Sequence, residues 1–525
     1  MAKDSDTALG RRRWIAALLF PSIANIVFVS VFCVLIFSVG NALLSDGDTG
    51  YHIRTGELIG QTWRIPYDDP YSYHYPPLKW TAHEWLSELI MAIVSRGLGL
   101  TGVVVFFAFI LATTHWLLYR FLRSKSDDAL LCIFVTLLAS ATSSTHWLAR
   151  PHAFSLLFTV AWCHCLDRFQ SGNERALNLL PVLMLFWVNL HGGYFIGLIL
   201  VLIYLGGNAL YSFTEPPHVS QKSLQKVKAL SLLLLVCVCV CMANPYGPKI
   251  LWFPIHITSD RFVMDRVTEF LSPNFHDALP FKYMLLALIG ALALSRSALN
   301  LIDCSLVVLL SYMSLYSVRH VSLFAIILAP VLVKTGSGIV DRIPKPIFEF
   351  YRTRNKNLRA IDAGVNGYVW PLSVIALIVG LIASGRITYR FDEKVFPVAA
   401  VEFMKREPIA GNMFNNDEFG DYIIFAAWPA YRVYIDGRSD MYGEKYGGDY
   451  LKIANVQQGW KEILKKYGIS WIIFDTQSPL IAALHDQIDW QAIYSDPVAT
   501  IFVQNDAEHA SLLAKYPAAN LAVKQ

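Results

Sequence analysis

The sequence contains few charged residues. Asp, Glu, Lys and Arg make up only 16% of its 525 residues, while 55% are hydrophobic and 13% are aromatic. Because soluble domains carry about 25% charged residues, this composition argues against a soluble enzyme. Disordered chains are poor in apolar residues, so the same numbers exclude disorder. A net charge of +4 is too small to indicate a nucleic-acid partner.

Other features are missing as well. No cysteine follows Cys304, we find no internal repeat or low-complexity segment, and no complete set of metal ligands is evident. The spacing of Cys237, Cys239 and Cys241 resembles that of cysteine ligands to a metal ion. On a helix, however, the three side chains would point in different directions among Leu and Val residues. We therefore interpret them as buried thiols.

Long apolar segments, in contrast, are abundant. A helix needs about 20 apolar residues to cross a bilayer, and we find about eleven such segments. The first is too long for a cleavable signal peptide and no small-residue cleavage site follows it. The predicted spans lie near residues 14–44, 98–120, 129–147, 153–167, 176–190, 194–212, 229–243, 281–295, 303–318, 320–334 and 367–385.

The distribution of Lys and Arg predicts the orientation of these spans. With the N-terminus in the cytoplasm, the cytoplasmic segments hold 20 Lys and Arg and the opposite loops hold 9. An odd number of spans then places the C-terminal region outside the cytoplasm. The positive residues that contribute most to this assignment are Lys3, Arg11, Arg12 and Arg13, and seven in residues 334–366, among them Arg342.

Two regions of the chain differ in composition. Residues 386–525 hold 14 Lys and Arg against 18 Asp and Glu, whereas the preceding part is basic. We therefore predict an α-helical polytopic membrane domain, residues 1–389, and a small extracytoplasmic α/β domain, residues 390–525, which we call the tail. In the tail, residues 394–406 and 444–466 are predicted helices, and 432–435, 471–474 and 500–503 are predicted strands.

The first outer loop, residues 45–97, contains two amphipathic segments, 49–60 and 81–96, which are predicted to be helices on the membrane surface. Ionisable residues of this loop share the outer side of the membrane with residues from other span ends. Such groups are costly near lipid, so their presence indicates function. They are Asp46, Asp48, His52, Arg54, His83, Glu84, His146, Arg150, His152, His191, Glu269, Arg319 and His320.

Each of these residues also has a structural interpretation. Asp46 and Asp48 fit either a general base or a helix cap. Glu84 fits either a catalytic carboxylate or a favourable first-turn residue. The histidines lack the spacing of a zinc motif, and interfacial histidines are often structural. Arg150 and Arg319 suit an anion site or snorkelling anchors.

Acidic, basic and His residues at the outer lipid–water boundary suit the transfer of a group from a lipid-phosphate carrier. A carboxylate can act as general base on an acceptor hydroxyl. Arg and His can stabilise the charge that grows on the departing phosphate. In the tail, Asp436, Arg438 and Asp440 are interpreted as a turn with local ion pairs.

At these residues the chain resembles the GT-C superfamily of membrane glycosyltransferases. The resemblance is carried by Asp46-Gly47-Asp48 with His52, and by the segment from Trp80 to Leu86. The chain is also similar to a bacterial group of multi-span proteins. That group shares Asp-Gly-Asp-Thr-Gly near the start, Asn-Pro-Tyr-Gly midway and Asp-Gly-Arg in an outer tail. The resemblance covers the whole chain loosely and the first outer loop specifically.

The resemblance implies a glycosyltransferase of the bacterial inner membrane. It implies a polyprenyl-phosphate sugar donor and an extracytoplasmic glycan, lipid or protein acceptor. It also implies that a first-loop carboxylate is the base, Asp48 by preference, with Asp46 and Glu84 as further catalytic candidates. Some members hold a divalent cation, but we expect no obligatory cofactor here. The substrate-binding candidates are His52, His83, Arg150, His152, His191, Arg319 and His320.

Other functions are open at this stage. A transporter or flippase of a lipid-linked substrate places charges at mid-membrane on broken helices, often in two related halves. Here the charges lie at span ends and no repeat is found. A membrane scaffold whose tail recruits partners would leave the outer ionisable residues unexplained. A lipid-linked glycan ligase or polymerase of another fold is a further alternative.

Overall fold

Helices dominate the chain before the tail. The computed structural model describes residues 19–214, 216–277, 279–295, 298–340, 344–362, 365 and 367–517. Lys3, Arg11, Arg12, Arg13 and Arg342, which contribute to the predicted orientation, lie outside the described residues. The helices of this region are α1 (Ile23–Phe37), α2 (Asp48–Thr62), α3 (Trp85–Lys125), α4 (Ala129–Ser143), α5 (His152–Gln170), α6 (Leu180–Leu190), α7 (Tyr194–Thr214), α8 (Pro217–Cys241), α9 (Lys249–Ser259), α10 (Arg261–Met264), α11 (Pro280–Leu294), α12 (Leu301–Tyr316), α13 (Val321–Val340), α14 (Lys345–Asp362) and α15 (Val369–Ala383).

Every predicted apolar segment overlaps one of these helices. Among the described residues, five helices are long and apolar enough to cross a membrane by length and composition. They are α3, α4 and α13, the last two each with a short adjoining turn, and α7 and α8. Helices α1, α11, α12 and α15 are apolar but shorter. The structure thus supports several membrane spans, and the figure of eleven stays a prediction.

The first outer loop contains helices where the sequence predicts them. Helix α2 begins at Asp48, and α3 begins at Trp85. Helix α3 is interrupted at Gly99, whose φ of 63° and ψ of −161° lie outside the helical region and suit a residue without a Cβ atom. The part of α3 before Gly99 is the second surface helix, and the part after it is the second apolar segment. Helix α2 packs against α3.

The tail is an α/β unit, as predicted. Its four strands form one sheet in the order β1-β2-β4-β3. The β1–β2 pair is parallel and the other two pairs are antiparallel. The elements are α16 (Val398–Arg406), β1 (Asn412–Asn415), α17 (Asp417–Ala427), α18 (Ser439–Ala454), α19 (Trp460–Lys466), β2 (Ile469–Asp475), α20 (Pro479–His485), β3 (Trp490–Ser495), β4 (Ala499–Gln504) and α21 (Ala510–Lys515).

Two predictions for the tail were wrong, and two strands were missed. The helix predicted over 444–466 is two helices, α18 and α19, because the backbone between them turns through positive φ at Val456 and Gly459. Strands β1 and β3 were not predicted. Residues 432–435 join no tail sheet. Instead, the Val433 N–H donates to the Tyr71 carbonyl at 3.1 Å, and the Val433 carbonyl accepts from the Tyr73 N–H at 3.3 Å.

The tail docks directly on the first outer loop. Helix α17 packs against α2, and Arg54 Nε donates to the Phe425 carbonyl at 2.6 Å. The Tyr73 hydroxyl donates to the Met413 carbonyl at 2.9 Å. Together with the pairing at Val433, these bonds make the tail and the first loop one packed body. The site residues therefore lie beneath the tail.

Candidate functional site

Two cavities open at one end of the helix bundle, which we call the loop end because the first outer loop and the tail cover it. The larger cavity, about 660 Å³, lies between the first outer loop, the tail and residues 257–270. The smaller, about 340 Å³, lies between α5, α7, α9 and α13 and is mostly apolar. The residues that line both are His83, Glu84, Arg150, Ile257, Glu269, Phe270 and Arg319.

Arg150 gathers three carboxylates at the border of these cavities. Its guanidinium contacts Asp46 and Asp48, and Nη1 lies 3.0 Å from Glu269 Oε1. Burial alone would raise the pKa of Glu269, but the guanidinium groups of Arg150 and Arg319, with two nearby histidines, together outweigh burial and lower it. Burial would likewise lower the pKa of Arg150, and the carboxylates raise it instead. Arg150 is therefore a fixed cation.

Asp46 and Asp48 play different parts in the local structure. Asp46 Oδ1 accepts the backbone N–H of Asp48 at 2.9 Å, as a capping side chain before a helix does. Asp48 is the first residue of α2, is buried, and directs one carboxylate oxygen to Arg150. The capping interpretation therefore fits Asp46, and the Asp48 carboxylate belongs to the cavity.

A tail residue that the sequence did not single out lies beside Asp48. Asp421, on α17, accepts the Gly437 N–H with its two carboxylate oxygens, at 3.0 and 3.2 Å. A Cβ atom at Gly437 would collide with Asp48 Oδ1 and Asp421 Oδ2, so both carboxylates lie against this glycine. Burial raises the pKa of both, and the charge of Asp48 raises that of Asp421 further.

The two carboxyl groups titrate as a pair. Asp48 contacts the guanidinium of Arg150, which favours its ionised form. Among the described residues, Asp421 has no salt bridge to a cation. Within the pair, Arg150 therefore favours ionisation of Asp48 over ionisation of Asp421.

Glu84 lies among three histidines. Its carboxylate is 3.5 Å from His52 Nε2 and 3.4 Å from the Nε2 atoms of His83 and His191. Burial would lower the pKa of His83, but the carboxylate of Glu84, together with Asp440 and a backbone hydrogen bond, outweighs burial and raises it. Burial lowers the pKa of His52 and His191 to about 3, so these two are neutral. Glu84 makes no side-chain cap bond at the start of α3, which leaves the first-turn interpretation without support.

The remaining candidates border the smaller cavity. His152 and His320 line it, and each ring is hydrogen-bonded to a backbone carbonyl. Arg319 lines both cavities, and its guanidinium lies 5.1 Å from the ring centroid of Phe270. The structure therefore brings Arg319 to the cavity of Asp48, whereas the two histidines border the smaller cavity alone.

The segment around Arg438 contains the predicted local ion pair, between Arg438 and Asp436, but its contacts also extend beyond the turn. Arg438 is only 3% exposed. Its Nη2 lies 2.6 Å from Asp436 and 2.8 Å from Asp69 of the first outer loop. The guanidinium also lies 4.6 Å from the ring centroid of Trp80. Arg438 thus links the tail to the first loop at the wall of the larger cavity.

The Asn-Pro-Tyr-Gly motif also converges on this end. The Tyr246 hydroxyl accepts the Ala82 N–H at 2.8 Å and donates to the Pro66 carbonyl at 2.9 Å. Asn244 Nδ2 donates to the Val188 carbonyl at 3.0 Å. The motif therefore fixes the approach to α3, where His83 and Glu84 lie, against the bundle.

A divalent cation does not fit the carboxylates in this arrangement. In the described part of the chain, no group of three or more His, Cys, Asp or Glu residues is arranged to hold a metal ion. Asp46, Asp48 and Glu269 all contact Arg150. The guanidinium therefore already occupies the place where a metal would neutralise them.

Comparison with known proteins bears on the fold. No protein-family model and no curated protein matches the sequence. Among solved structures, the chain is similar to the apo crystal structure of the oligosaccharyltransferase of Archaeoglobus fulgidus. The TM-score is 0.54 and the sequence identity is 11%, with 86% of this chain and 69% of that chain covered. The chain therefore shares the fold of an archaeal oligosaccharyltransferase.

Proposed function

We propose that the protein is a GT-C glycosyltransferase of the bacterial inner membrane. It moves a sugar from a polyprenyl-phosphate-linked donor to a glycan, lipid or protein acceptor outside the cytoplasm. The fold shared with an oligosaccharyltransferase supports this class of reaction, and the site supports the roles of individual residues. Asp48 is the general base.

The observation that carries this proposal is the meeting of the two cavities at Arg150. The smaller cavity is lined by apolar side chains such as Ile196, Ile199 and Leu323, which suit a prenyl chain. The larger cavity contains Asp48. A donor whose lipid lies in the smaller cavity would therefore present its phosphate and sugar to the carboxylates at the border.

The proposed reaction is a single displacement. Asp48 takes the proton from the acceptor hydroxyl, and the acceptor oxygen forms a bond to the anomeric carbon. The bond from that carbon to the phosphate oxygen breaks, and polyprenyl phosphate leaves with the electron pair. A single displacement inverts the configuration at the anomeric carbon.

Cationic side chains at the border of the two cavities can stabilise the negative charge of the departing phosphate. Arg150 and Arg319 line both cavities, and guanidinium groups bind phosphate oxygens well. Because the pKa of His191 is lowered to about 3, we assign it a hydrogen bond and no charge. His83, whose pKa is raised, supplies a further positive charge beside Glu84. With Arg150 among the carboxylates, the reaction requires no obligatory metal.

The test begins with the donor. Lipid that copurifies with the protein is identified by mass spectrometry, and transfer from that lipid is then measured for Asp48→Asn. The substitution keeps the size and removes the proton acceptor, so we expect turnover to fall roughly a hundredfold or more while the donor still binds.

Asp46→Asn and Asp303→Asn are the matched controls. Asp46 caps α2, so we expect a smaller loss of turnover than for Asp48→Asn. Asp303 pairs with Lys334 at 2.6 Å, away from both cavities, and its variant should keep full activity. Near wild-type transfer by both Asp48→Asn and Asp46→Asn would contradict a base in this motif, and a larger loss in Asp46→Asn would exchange their roles.

The proposed orientation has its own test. Reporter domains fused after residue 390 should be active only in the form that requires export, because the tail lies outside the cytoplasm in this proposal. Fusions in the loop between α3 and α4 should show the opposite pattern. A tail reporter that works only in the cytoplasm would contradict the orientation and the outer location of the site.

A further inference from the structure

Helix α14 lies across the end of the bundle opposite the loop end, which we call the far end. The Tyr351 hydroxyl donates to Asp128, the N-terminal cap of α4, at 2.7 Å, and Asn355 Oδ1 accepts the first backbone N–H of α4 at 2.9 Å. Asp362 Oδ1 accepts the N–H of Ile23, the first residue of α1, at 2.9 Å. Because α1 and α4 lie in predicted spans, their first residues mark the boundary between bilayer and water, and α14 is held at that boundary.

The chain also confines α14 to the membrane surface. It connects α13 with α15, and both helices overlap predicted spans. Residues 341–344 join α13 to α14, and residues 363–368 join α14 to α15. Each residue of a chain extends at most about 3.6 Å. Connections this short keep both ends of α14 close to the ends of the neighbouring spans.

One flank of α14 exposes large apolar side chains. Ile347 is 59% exposed and Phe350 is 64% exposed, and they share this flank with Arg354 because the three residues are spaced three and four apart. The guanidinium of Arg354 lies 5.2 Å from the ring centroid of Phe350. Apolar side chains on such a helix are favourably placed when they lie among the acyl chains of a bilayer.

The opposite flank of α14 is basic. A spacing of three, four and seven residues places four cations on it: Lys345, Arg352, Lys356 and Arg359. Arg359 lies 2.8 Å from Asp127. Within the part of the chain that the structure describes, the other three cations of this flank form no salt bridge. An apolar flank opposite a basic one is the pattern of a helix that lies in a membrane interface.

The charges around α14 leave a positive surplus. Arg123 lies 3.7 Å from Asp362, as Arg359 pairs with Asp127, and these two pairs are matched. The charged residues of α14 and of its contacts outside these pairs are Lys345, Arg352, Arg354 and Lys356 against Glu349 and Asp128. The surface of α14 therefore complements a partner with negative charge.

We infer that α14 is an interfacial helix that binds acidic phospholipids of the leaflet at the far end. Its apolar flank lies among the acyl chains, and its unpaired cations contact the lipid phosphates. A soluble anion would match the cations but leave Ile347 and Phe350 in water. A zwitterionic leaflet would cover these two side chains without matching the surplus charge. None of the described side chains of α14 lines either cavity, so this inference is independent of the proposed function.

The test is a competition between two lipids that differ in headgroup charge. Full-length protein in an uncharged detergent is mixed with equal amounts of phosphatidylglycerol and phosphatidylcholine that have identical acyl chains. Native mass spectrometry then counts the bound lipids. We expect phosphatidylglycerol to be bound in about fivefold excess or more, and the excess should shrink as the concentration of ammonium acetate is raised.

Variants locate this preference on α14. Arg352→Gln/Lys356→Gln neutralises two unpaired cations and should reduce the excess of phosphatidylglycerol severalfold. The matched control is Lys222→Gln/Lys228→Gln, which removes the same number of exposed cations from α8 at the far end and should leave the excess in place. Circular dichroism verifies that each variant is folded, and the wild-type competition stands even if a variant is not.

Four outcomes would overturn the inference. They are equal binding of the two lipids by the wild-type protein, an unchanged preference in Arg352→Gln/Lys356→Gln, an equal loss of preference in the control, and release of phosphatidylglycerol by an excess of free glycerol phosphate. The third would attribute the preference to the total charge of the far end, and the fourth would indicate a site for a soluble anion. Because no sugar transfer is measured, failure of the proposed reaction would leave this result intact.

Discussion

The ion pairs at the two ends of the helix bundle differ in their number of partners and in their exposure to solvent. At the end away from the tail, ion pairs are single and partly exposed. Lys334 and Asp303 are 2.6 Å apart with the Lys side chain 50% exposed, and Arg359 and Asp127 are 2.8 Å apart with both side chains largely exposed. At the loop end, Arg150 contacts three carboxylates.

The difference concerns solvation. An exposed pair stays hydrated and contributes about 0–1 kcal/mol, so the far end gains little from its charges beyond orientation in the membrane. Buried charges lose their hydration, and the cost is recovered only by close and complete pairing. The loop end retains such charges without an evident gain in stability, which is typical of a site that binds or transforms a ligand.

Removal of a cation from each end should give the largest contrast in the free energy of unfolding. Arg150→Met leaves the buried Asp48 and the partly buried Asp46 and Glu269 without their partner, and we expect a loss of about 3–5 kcal/mol. Arg359→Met, which removes the partner of Asp127 at the far end, should cost under about 1 kcal/mol. Unfolding in mixed micelles measures both.

A double variant sharpens this contrast. If repulsion among the carboxylates causes the loss, adding Asp48→Asn to Arg150→Met should recover part of the stability, because one negative charge is gone. Equal losses for Arg150→Met and Arg359→Met would remove the distinction between the two ends.

The pH dependence of activity should reveal how neighbouring charges act on the base. The base must be ionised, so kcat/KM rises as pH increases through the pKa of Asp48, which burial raises. The negative charge of Asp46 raises the pKa of Asp48 further, so Asp46→Asn should move the acid limb to lower pH by about one unit. A purely structural role for Asp46 would reduce the rate without moving the limb.

The control for this experiment is another carboxyl group of the same cavity. Asp417 also borders the larger cavity, but its carboxylate accepts the Tyr450 hydroxyl at 2.9 Å. Asp417→Asn should therefore leave the pH profile in place. An equal displacement in both variants would indicate a general effect of charge on the cavity.

The smallest expected effect concerns single hydroxyl groups. Tyr246→Phe removes a hydroxyl that bridges Ala82 and Pro66 at the loop end, and should cost about 1 kcal/mol with a measurable fall in turnover. Tyr351→Phe removes a hydroxyl bonded to Asp128 at 2.7 Å at the far end. It should cost a similar or smaller amount and leave turnover unchanged. Thermal unfolding and transfer assays together distinguish the two ends.

Local properties of the sequence predicted much of the fold. Each predicted apolar segment overlaps a helix, and both helices of the first loop were predicted. These elements are predictable because hydropathy and helical periodicity depend on residues that are close in sequence. Strand β1 was missed because its short sequence, Asn412 to Asn415, consists of polar ends around two apolar residues. Residues 432–435 have the composition of a strand, but their hydrogen bonds go to the first loop.

The composition of the site was predictable only in part. Asp48, Glu84 and Arg150 were found because ionisable residues at span ends are conspicuous in an apolar sequence. Asp421 lies in the acidic tail, where the sequence does not distinguish one carboxyl group from the many others. Asp69 and Arg438 meet only because the tail folds back on the first loop, and no periodicity within either segment encodes that contact.

The pairing of Asp69 with Arg438 also has a consequence for the order in which parts of the chain fold during synthesis. The first of these residues is synthesised early and the second late, after every apolar helix of the bundle has emerged from the ribosome. Until the tail has folded onto the first loop, Arg438 cannot reach Asp69 and the wall containing Asp421 is missing. A nascent chain therefore has the helices that line the larger cavity before that cavity is closed.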